Sequence, residues 1–105
     1  MIGNLSLDQL LVLVTIADTG SFSAAGRTLR RAQSAISQTV ATLESLQGVV
    51  LFDRSGHRPQ LTEVGRVLVD QARLVLASAA RFEAVAAGTR AGLEPELALA
   101  IDPLV

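Results

Sequence analysis

Amide and hydroxyl side chains follow one another closely between residues 33 and 39, and their chemistry suits contact with a nucleic acid. A glutamine such as Gln38 can address the adenine edge with two hydrogen bonds, and a serine hydroxyl can bond to a phosphate or a base edge. Exposed backbone amides at a helix start attract phosphate. Ala35 and Thr39 could contact a thymine methyl group. The candidate contacts are Gln33, Ser34, Ala35, Ser37, Gln38 and Thr39.

All nine basic residues are arginines, and they are unevenly distributed. Residues 27–66 hold six arginines against three acidic residues, a net charge of +3, while the other 65 residues hold three against seven, a net charge of -4. A local basic surface can attract phosphate although the whole chain carries -1. The candidate phosphate contacts are Arg31, Arg54 and Arg58, and Arg54 has an alternative role in a structural ion pair with Asp53 or Glu44.

Other chemistries find little support in the composition. The chain has no cysteine and a single histidine, His57, so a thiolate metal site is impossible and no other metal site is expected. No carboxylate is placed to orient His57, and no nucleophile motif occurs, so neither catalytic residues nor a cofactor is predicted. The apolar runs are too short to cross a bilayer. We therefore expect a non-enzymatic protein of the cytoplasm that does not bind membranes.

Three helices are predicted ahead of residue 48. Ser6 and Gln9 form a capping-box pattern at the first helix, and Gly20 ends it. Its predicted buried stripe consists of Leu7, Leu10, Leu11, Val14 and Ala17. A second helix, capped by Ser23, runs from Ala24 to about Arg30. The third, capped by Gln33, reaches about Gln47.

The third helix is predicted to bury Ile36, Val40 and Leu43 and to expose its polar side. Two helices joined by so short a turn, the second polar on its outer face, are typical of a helix-turn-helix. This arrangement would place the amide and hydroxyl groups of residues 33–39 on a protruding surface.

A small wing and a long helix are predicted next. An apolar strand at residues 49–52 precedes a turn from Asp53 to Gln60, and a second strand closes at Leu61. Thr62 caps a helix without a breaker from Glu63 to about Ala87. The domain is too small to cover its apolar stripe, so we expect a partner helix and hence a homodimer. The predicted dimer contacts are Val64, Leu68, Val75, Phe82 and Val85.

Beyond the long helix, the segment from Gly88 to Pro95 is predicted to be a hinge. The run from Leu97 to Ile101 is apolar on both faces, as a strand inside a sheet would be. This run has no sheet to join, and we expect it to be the first strand of a domain that this chain lacks.

In this order and spacing, the motifs resemble those of LysR-type transcriptional regulators over about residues 5 to 66. The matching segments are Thr19-Gly20-Ser21-Phe22-Ser23-Ala24-Ala25, Leu29, Gln33-Ser34-Ala35-Ile36-Ser37, Leu43-Glu44, Gly48-Val49, Leu51-Phe52, Arg54, Leu61-Thr62 and Gly65.

The resemblance implies a mainly α fold in which residues 1–61 form a winged helix-turn-helix of three helices and a two-stranded wing. Residues 62–90 would be a linker helix that dimerises, and 91–105 a hinge and the first strand of a missing effector domain. It also implies a bacterial transcription regulator that binds imperfect inverted repeats of double-stranded DNA as a homodimer or tetramer. A small-molecule effector would bind only the missing domain.

Three positions depart from that family's usual pattern. Gly26 replaces alanine and should weaken the second helix by about 1 kcal/mol. Gln47 replaces a core leucine, for which Leu46 is the candidate substitute. His57 replaces a wing arginine.

The alternative to DNA binding is a protein–protein docking and oligomerisation module.

Overall fold

Residues 4–90 are described by the computed structural model. The elements are α1 (Leu7–Thr19), α2 (Phe22–Leu29), α3 (Gln33–Gln47), β1 (Phe52–Asp53), β2 (Gln60–Leu61) and α4 (Glu63–Arg90). The two strands pair antiparallel, with Phe52 opposite Leu61. The predicted mainly α winged helix-turn-helix with a long following helix is therefore confirmed. The hinge beyond Arg90 and the strand predicted at residues 97–101 lie outside the described residues.

Both ends of α1 follow the local sequence pattern. Ser6 Oγ accepts from the Gln9 amide at 3.1 Å, and Gln9 Oε1 accepts from the Ser6 amide at 3.1 Å, which completes the capping box. Gly20 ends the helix in a left-handed conformation with φ +88°, and its N–H donates to the Ile16 carbonyl at 2.9 Å. The predicted start and stop of α1 are confirmed.

The predicted buried stripe of α1 is partly wrong. Leu7 and Leu11 are 51% and 38% exposed, whereas Leu13 and Ile16, which lay outside the stripe, are buried. Every residue from Leu10 to Ile16 except Thr15 is apolar, and α1 packs against α2, α3 and α4. Because neighbours cover several sides of α1, helical spacing alone could not identify the inward face.

The caps predicted for α2 and α3 are also wrong. Ser21, not Ser23, caps α2, and its Oγ accepts from the Ala24 amide at 3.0 Å. The helix therefore begins at Phe22, whose ring is buried. Gln33 is the first residue of α3 rather than its cap; the cap is Ala32, which has no side-chain oxygen to accept a hydrogen bond.

Replacing Ala32 with serine is expected to stabilise the domain. Ala32 has φ -63° and ψ 146°, an extended conformation suited to a capping serine whose oxygen can accept from an amide in the first turn of α3. We expect a gain of about 1 kcal/mol in the free energy of unfolding, measured by urea denaturation. The control is Ala41→Ser on the exposed face of α3, which should lose a few tenths of a kcal/mol. Equal effects at both positions would contradict the capping role.

Gly26 has a role that its poor helix propensity does not suggest. A Cβ built on Gly26 would lie 2.7 Å from the Arg31 carbonyl oxygen, which is closer than real contacts allow. The Arg31 amide also donates to the Gly26 carbonyl at 2.8 Å. Glycine at this position permits the tight turn between α2 and α3. The expected loss of helix stability is therefore offset, because a larger residue would not allow the two backbones to approach so closely.

The buried face predicted for α3 is confirmed, since Ile36, Val40 and Leu43 are almost fully buried. The helix ends at Gly48 in a left-handed conformation with φ +68°. The expectation that Leu46 would turn inward is wrong: Leu46 is 43% exposed. One residue corresponds to about 100° around a helix, so Leu46 could reach the Gln47 direction only if α3 were rewound.

The strand predicted at residues 49–52 is reduced to Phe52–Asp53. The Leu51 amide donates to Glu44 Oε2 at 2.8 Å, and the Phe52 amide donates to the same oxygen at 3.4 Å. A side chain of α3 therefore takes the place of a neighbouring strand. The predicted cap of α4 is confirmed, because Thr62 Oγ1 accepts from the Gly65 amide at 2.9 Å.

The first half of α4 packs against the domain, mainly through contacts with α1. Gly65, Val69 and Ala72 are its buried residues. Arg73 adds a bidentate ion pair to Asp18 at the end of α1, with an Nη2–Oδ1 distance of 2.7 Å. The hydrogen bond from Arg73 lowers the pKa of the Asp18 carboxyl. These contacts fix the direction in which α4 leaves the domain.

α4 is longer than its sequence suggested. It continues through Gly88 to Arg90, so the predicted hinge does not begin at Gly88. Its 28 residues span about 42 Å at 1.5 Å per residue. Beyond Ala72, none of the residues of α4 that the structure describes is buried. The second half of α4 therefore has no cover from its own domain.

Candidate nucleic-acid interface

The outer face of α3 carries the amide and hydroxyl groups that the sequence predicts to contact a nucleic acid. Gln33, Ser34, Ala35 and Gln38 are exposed, and Ser37 and Thr39 are half-buried. The opposite face is anchored by Ile36, Val40 and Leu43, as described above. The structure thus gathers all six candidates on the first two turns of one rigidly packed helix.

The start of α3 also presents backbone donors. Ala35 and Ile36 donate their amides to the Ala32 carbonyl. Within residues 4–90, no hydrogen bond is found for the amides of Gln33 and Ser34. Such amides lie at the positive end of the helix dipole.

Two hydrogen bonds within α3 determine what its side chains can offer to a ligand. Thr39 Oγ1 donates to the Ala35 carbonyl at 3.0 Å, so its hydroxyl proton is already engaged within α3. Gln38 Nε2 lies 3.4 Å from Thr42 Oγ1, its neighbour one turn later. The Gln38 carbonyl oxygen is then the group that remains available as an acceptor.

Arg31 is held in an ion pair that the sequence did not predict. Its guanidinium donates to both carboxylate oxygens of Asp8, with Nη1–Oδ2 and Nη2–Oδ1 distances of 2.9 and 2.7 Å. These hydrogen bonds lower the pKa of Asp8 and raise that of Arg31. The pair joins the start of α1 to the turn before α3, and a phosphate at Arg31 would compete with Asp8.

Arg54 has an aromatic partner instead of the acidic partner that was considered. Its guanidinium carbon lies 5.0 Å from the centroid of the Phe22 ring, within cation–π range. The Phe22 ring packs edge-on against Phe52, with centroids 5.1 Å apart. No hydrogen bond of Arg54 to another residue is found in the part of the chain that the structure describes.

Both carboxylates considered for an ion pair with Arg54 are engaged elsewhere. Glu44 accepts backbone amides, as described above. Asp53 Oδ1 accepts from the amide and the hydroxyl of Ser55 at 2.9 and 2.7 Å, and these bonds, the backbone one first, lower the pKa of Asp53. The structural ion pair predicted as an alternative role for Arg54 is therefore wrong.

The wing carries Arg58, which is exposed, beside the exposed His57. Arg58 lines an open cleft of about 240 Å³ between the end of α1, the wing and the start of α4, together with Arg66. Arg66 was counted in the basic segment but was not among the candidate contacts, because its place on the long helix gave no sign that it would approach the wing.

The residues predicted to form a dimer interface lie along one side of α4. Val64, Val75 and Phe82 are 45%, 41% and 74% exposed. Leu68 and Val85 are half-buried. The expectation that the chain offers this stripe nothing to pack on is wrong for Leu68, which contacts the core of its own domain.

Residues 4–90 contain neither a metal-binding cluster of side chains nor a single membrane-spanning helix. No group of three or more histidine, cysteine, aspartate or glutamate residues could hold a metal ion in this range. No single described helix is long and apolar enough to span a bilayer; α1 and α2, bent by 119°, would qualify together by length and composition alone.

Three comparisons place these features among known proteins. The family model described as bacterial regulatory helix-turn-helix protein, lysR family, matches residues 7–66. The probable HTH-type transcriptional regulator YhaJ of Escherichia coli K12 is 42% identical over 101 residues, which are 96% of this chain and 34% of that protein. The regulator AceR of Acinetobacter baumannii is 36% identical over 98 residues, 93% of this chain and 33% of that protein.

Solved structures of transcription regulators are similar to this chain in fold. A DNA complex of the CbnR DNA-binding domain superposes with a TM-score of 0.77 and 29% identity, over 82% of this chain and 99% of that one. Full-length OxyR from Pseudomonas aeruginosa gives a TM-score of 0.77 and 33% identity, over 81% of this chain and 29% of that one. The chain spans about one third of the length of the curated relatives it matches.

Proposed function

Because the chain belongs to the lysR family of bacterial regulatory helix-turn-helix proteins, we propose that it binds double-stranded DNA sequence-specifically as part of a transcription regulator. The observation that carries this proposal is the polar outer face of α3 on a helix with a fully anchored inner face. The relatives are named as transcriptional regulators, which agrees with the prediction that the chain is not an enzyme. The proposed location is the cytoplasm.

In the proposed complex, α3 lies in the major groove, which is wide enough to admit a helix. Gln38 and its polar neighbours on α3 read base edges, and the methyl groups of Ala35 and Thr39 contact thymine. The free amides at the start of α3 favour a phosphate nearby. These contacts would determine which sequence is bound.

The arginines are proposed to contact the sugar–phosphate backbone. Arg54 is the strongest candidate, because the Phe22 ring restricts its guanidinium without using its hydrogen-bond donors. Arg58 in the wing is exposed, whereas Arg31 would have to exchange Asp8 for a phosphate. Such contacts position the protein and make its affinity depend on salt, but they carry little sequence information.

We further propose that two copies pair through α4, using Val64, Leu68, Val75, Phe82 and Val85. The exposed apolar side chains of the second half of α4 support this pairing. A two-fold symmetric dimer presents two α3 helices in opposite orientations, so its binding site would be an imperfect inverted repeat.

Two substitutions are expected to separate base reading from backbone contact. Once a cognate site has been selected from a random duplex pool, Gln38→Ala should cost about 1–3 kcal/mol on that site and little on unrelated DNA. Arg54→Ala should weaken binding to both DNAs alike and reduce the salt slope by about one unit. Fluorescence anisotropy titrations at several salt concentrations would measure both effects.

Matched controls are available in the same chain. Ser45→Ala changes an exposed residue two turns further along α3, and Arg81→Ala removes the same charge from an exposed site on α4; neither should alter affinity appreciably. Equal losses on both DNAs for Gln38→Ala would remove Gln38 from the base-reading residues. If the chain did not bind duplex DNA, or if its binding did not depend on salt, the docking module would be favoured instead.

A further inference from the structure

The ion pair between Asp8 and Arg31 links the start of α1 to the turn before α3. Asp8 is the second residue of α1, and Arg31 directly precedes Ala32, the cap of α3. Both terminal nitrogens of the guanidinium donate to the Asp8 carboxylate. Bidentate pairs of this kind are among the strongest contacts between charged side chains. Asp8 is therefore the partner that Arg31 has in the free protein.

The main chain at Arg31 is fixed, whereas its side chain can exchange partners. The Arg31 amide donates to the Gly26 carbonyl at 2.8 Å, and the Arg31 carbonyl passes close to Gly26. The side chains of Arg31 and Asp8 are 35% and 51% exposed, so ions in solution can reach the pair. Replacing Asp8 by another anion would thus require rotation of the Arg31 side chain but no change in the fold.

A DNA phosphate near the start of α3 would compete with Asp8 for Arg31. The amides of Gln33 and Ser34, for which no hydrogen bond is found in residues 4–90, favour a phosphate there. Arg31 lies only two residues before Gln33, and the guanidinium fork suits a phosphate as well as a carboxylate. A phosphate on Arg31 would leave Asp8 unpaired beside another anion, and the repulsion between them would reduce the gain.

We propose that Asp8 limits the affinity of this domain for DNA by competing with the phosphate backbone for Arg31. This inference rests on the DNA binding proposed above and assigns a part in it to Asp8, which acts only through Arg31. Arg54 provides the contrast. Its guanidinium lies over the Phe22 ring and is not held by a carboxylate, so a phosphate can bind Arg54 without displacing an anion.

A second ion pair in the chain has the same geometry and supplies a matched control. Arg73 donates to both carboxylate oxygens of Asp18, and their side chains are 46% and 55% exposed. This pair joins the end of α1 to α4 instead of to the turn before α3. Neutralising either aspartate changes the net charge by the same amount and frees one arginine. The two substitutions therefore differ mainly in the place where the arginine becomes available.

Asp8→Asn is expected to raise the affinity for DNA by about tenfold at low salt and to steepen the salt slope by about 0.9, the value for one additional phosphate contact. The gain should be alike on the cognate site and on unrelated duplex DNA, since phosphate contacts carry no sequence information. Asp8→Ala should act in the same way, because it also removes the oxygen that an asparagine could still offer. Asp18→Asn should change the affinity by less than about threefold, because an added charge far from the DNA is screened by salt.

A double variant separates competition for Arg31 from the effect of charge alone. If the gain comes through Arg31, Asp8→Asn with Arg31→Ala should bind DNA no more tightly than Arg31→Ala. In the otherwise unaltered chain, Arg31→Ala should reduce the salt slope by less than about half of the one unit expected for Arg54→Ala. Anisotropy titrations of the full 105-residue chain at several salt concentrations would measure these effects, with circular dichroism as the check of folding.

The possible outcomes separate this inference from the proposed function. A gain that is absent in Asp8→Asn, equal in Asp18→Asn, or retained in the double variant would overturn the inference and leave DNA binding standing. A salt slope reduced as much by Arg31→Ala as by Arg54→Ala would also overturn it, and this comparison decides the matter even if the Asp8 variants do not fold. An unaltered chain that does not bind DNA would contradict the proposed function and the inference together.

Discussion

Gly65→Ala is expected to destabilise the domain by about 3 kcal/mol, the upper part of the range for overpacking. A Cβ on Gly65 would lie 2.3 Å from the Leu51 carbonyl oxygen and 3.0 Å from Leu61 Cδ2. The Leu51 carbonyl cannot easily retreat, because it accepts from the Thr62 amide at 2.9 Å. Helix propensity alone predicts the opposite sign, a gain of about 1 kcal/mol.

Urea denaturation followed by circular dichroism would measure this effect. Gly56→Ala provides the control, because a Cβ there meets nothing closer than 4.0 Å and Gly56 does not need a positive φ. Its free energy of unfolding should change by less than about 1 kcal/mol. If Gly65→Ala proved as stable as Gly56→Ala, the start of α4 could move away from the segment before the wing, and the contact between them would not be rigid.

The features that could be predicted from the sequence depend on near neighbours in the chain. The capping box of Ser6 and Gln9, the cap Thr62 and the helix ends at Gly20 and Gly48 each involve residues within three or four positions. The polar face of α3 could be predicted equally well, because the spacing of the buried residues Ile36, Val40 and Leu43 alone identifies the opposite side.

Several of the features that were missed involve residues far apart in the chain. Asp8 and Arg31 are 23 residues apart, and Asp18 and Arg73 are 55 apart. Nothing in the local pattern distinguishes these carboxylates from other surface charges. Arg54 illustrates the same limit: its sequence neighbours suggested an acidic partner, while the fold placed it over the ring of Phe22.

The role of two helical glycines could not be predicted from the sequence, for a related reason. Gly26 and Gly65 lie inside helices, where glycine is ordinarily unfavourable. Both are needed because another part of the backbone passes close by: the turn at Arg31 for Gly26 and the segment before the wing for Gly65. Such close approaches become visible only when the helices are packed.

The double substitution Val75→Glu with Phe82→Glu is expected to abolish the proposed dimer and, with it, tight binding to an inverted repeat. Each dimer would place four carboxylates in a seam that has to exclude water, and burying an unpaired charge is costly enough to outweigh the apolar contacts that it replaces. Loss of bivalent engagement should lower the affinity for the full site by a factor on the order of 10² to 10⁴. Binding to an isolated half-site should change little.

Ala77→Glu with Ala84→Glu is the matched control for this prediction. These two alanines are also seven residues apart and exposed, and they lie about 140–180° around α4 from Val75 and Phe82, so the same added charge should leave the dimer intact. Sedimentation and titrations with full-site and half-site DNA would be compared for both variants. A seam variant that stays fully dimeric would move the interface away from Val75 and Phe82. If the seam variant became monomeric but kept full-site affinity, the two copies would not act together on DNA, because a two-fold dimer gains its affinity from binding both half-sites at once.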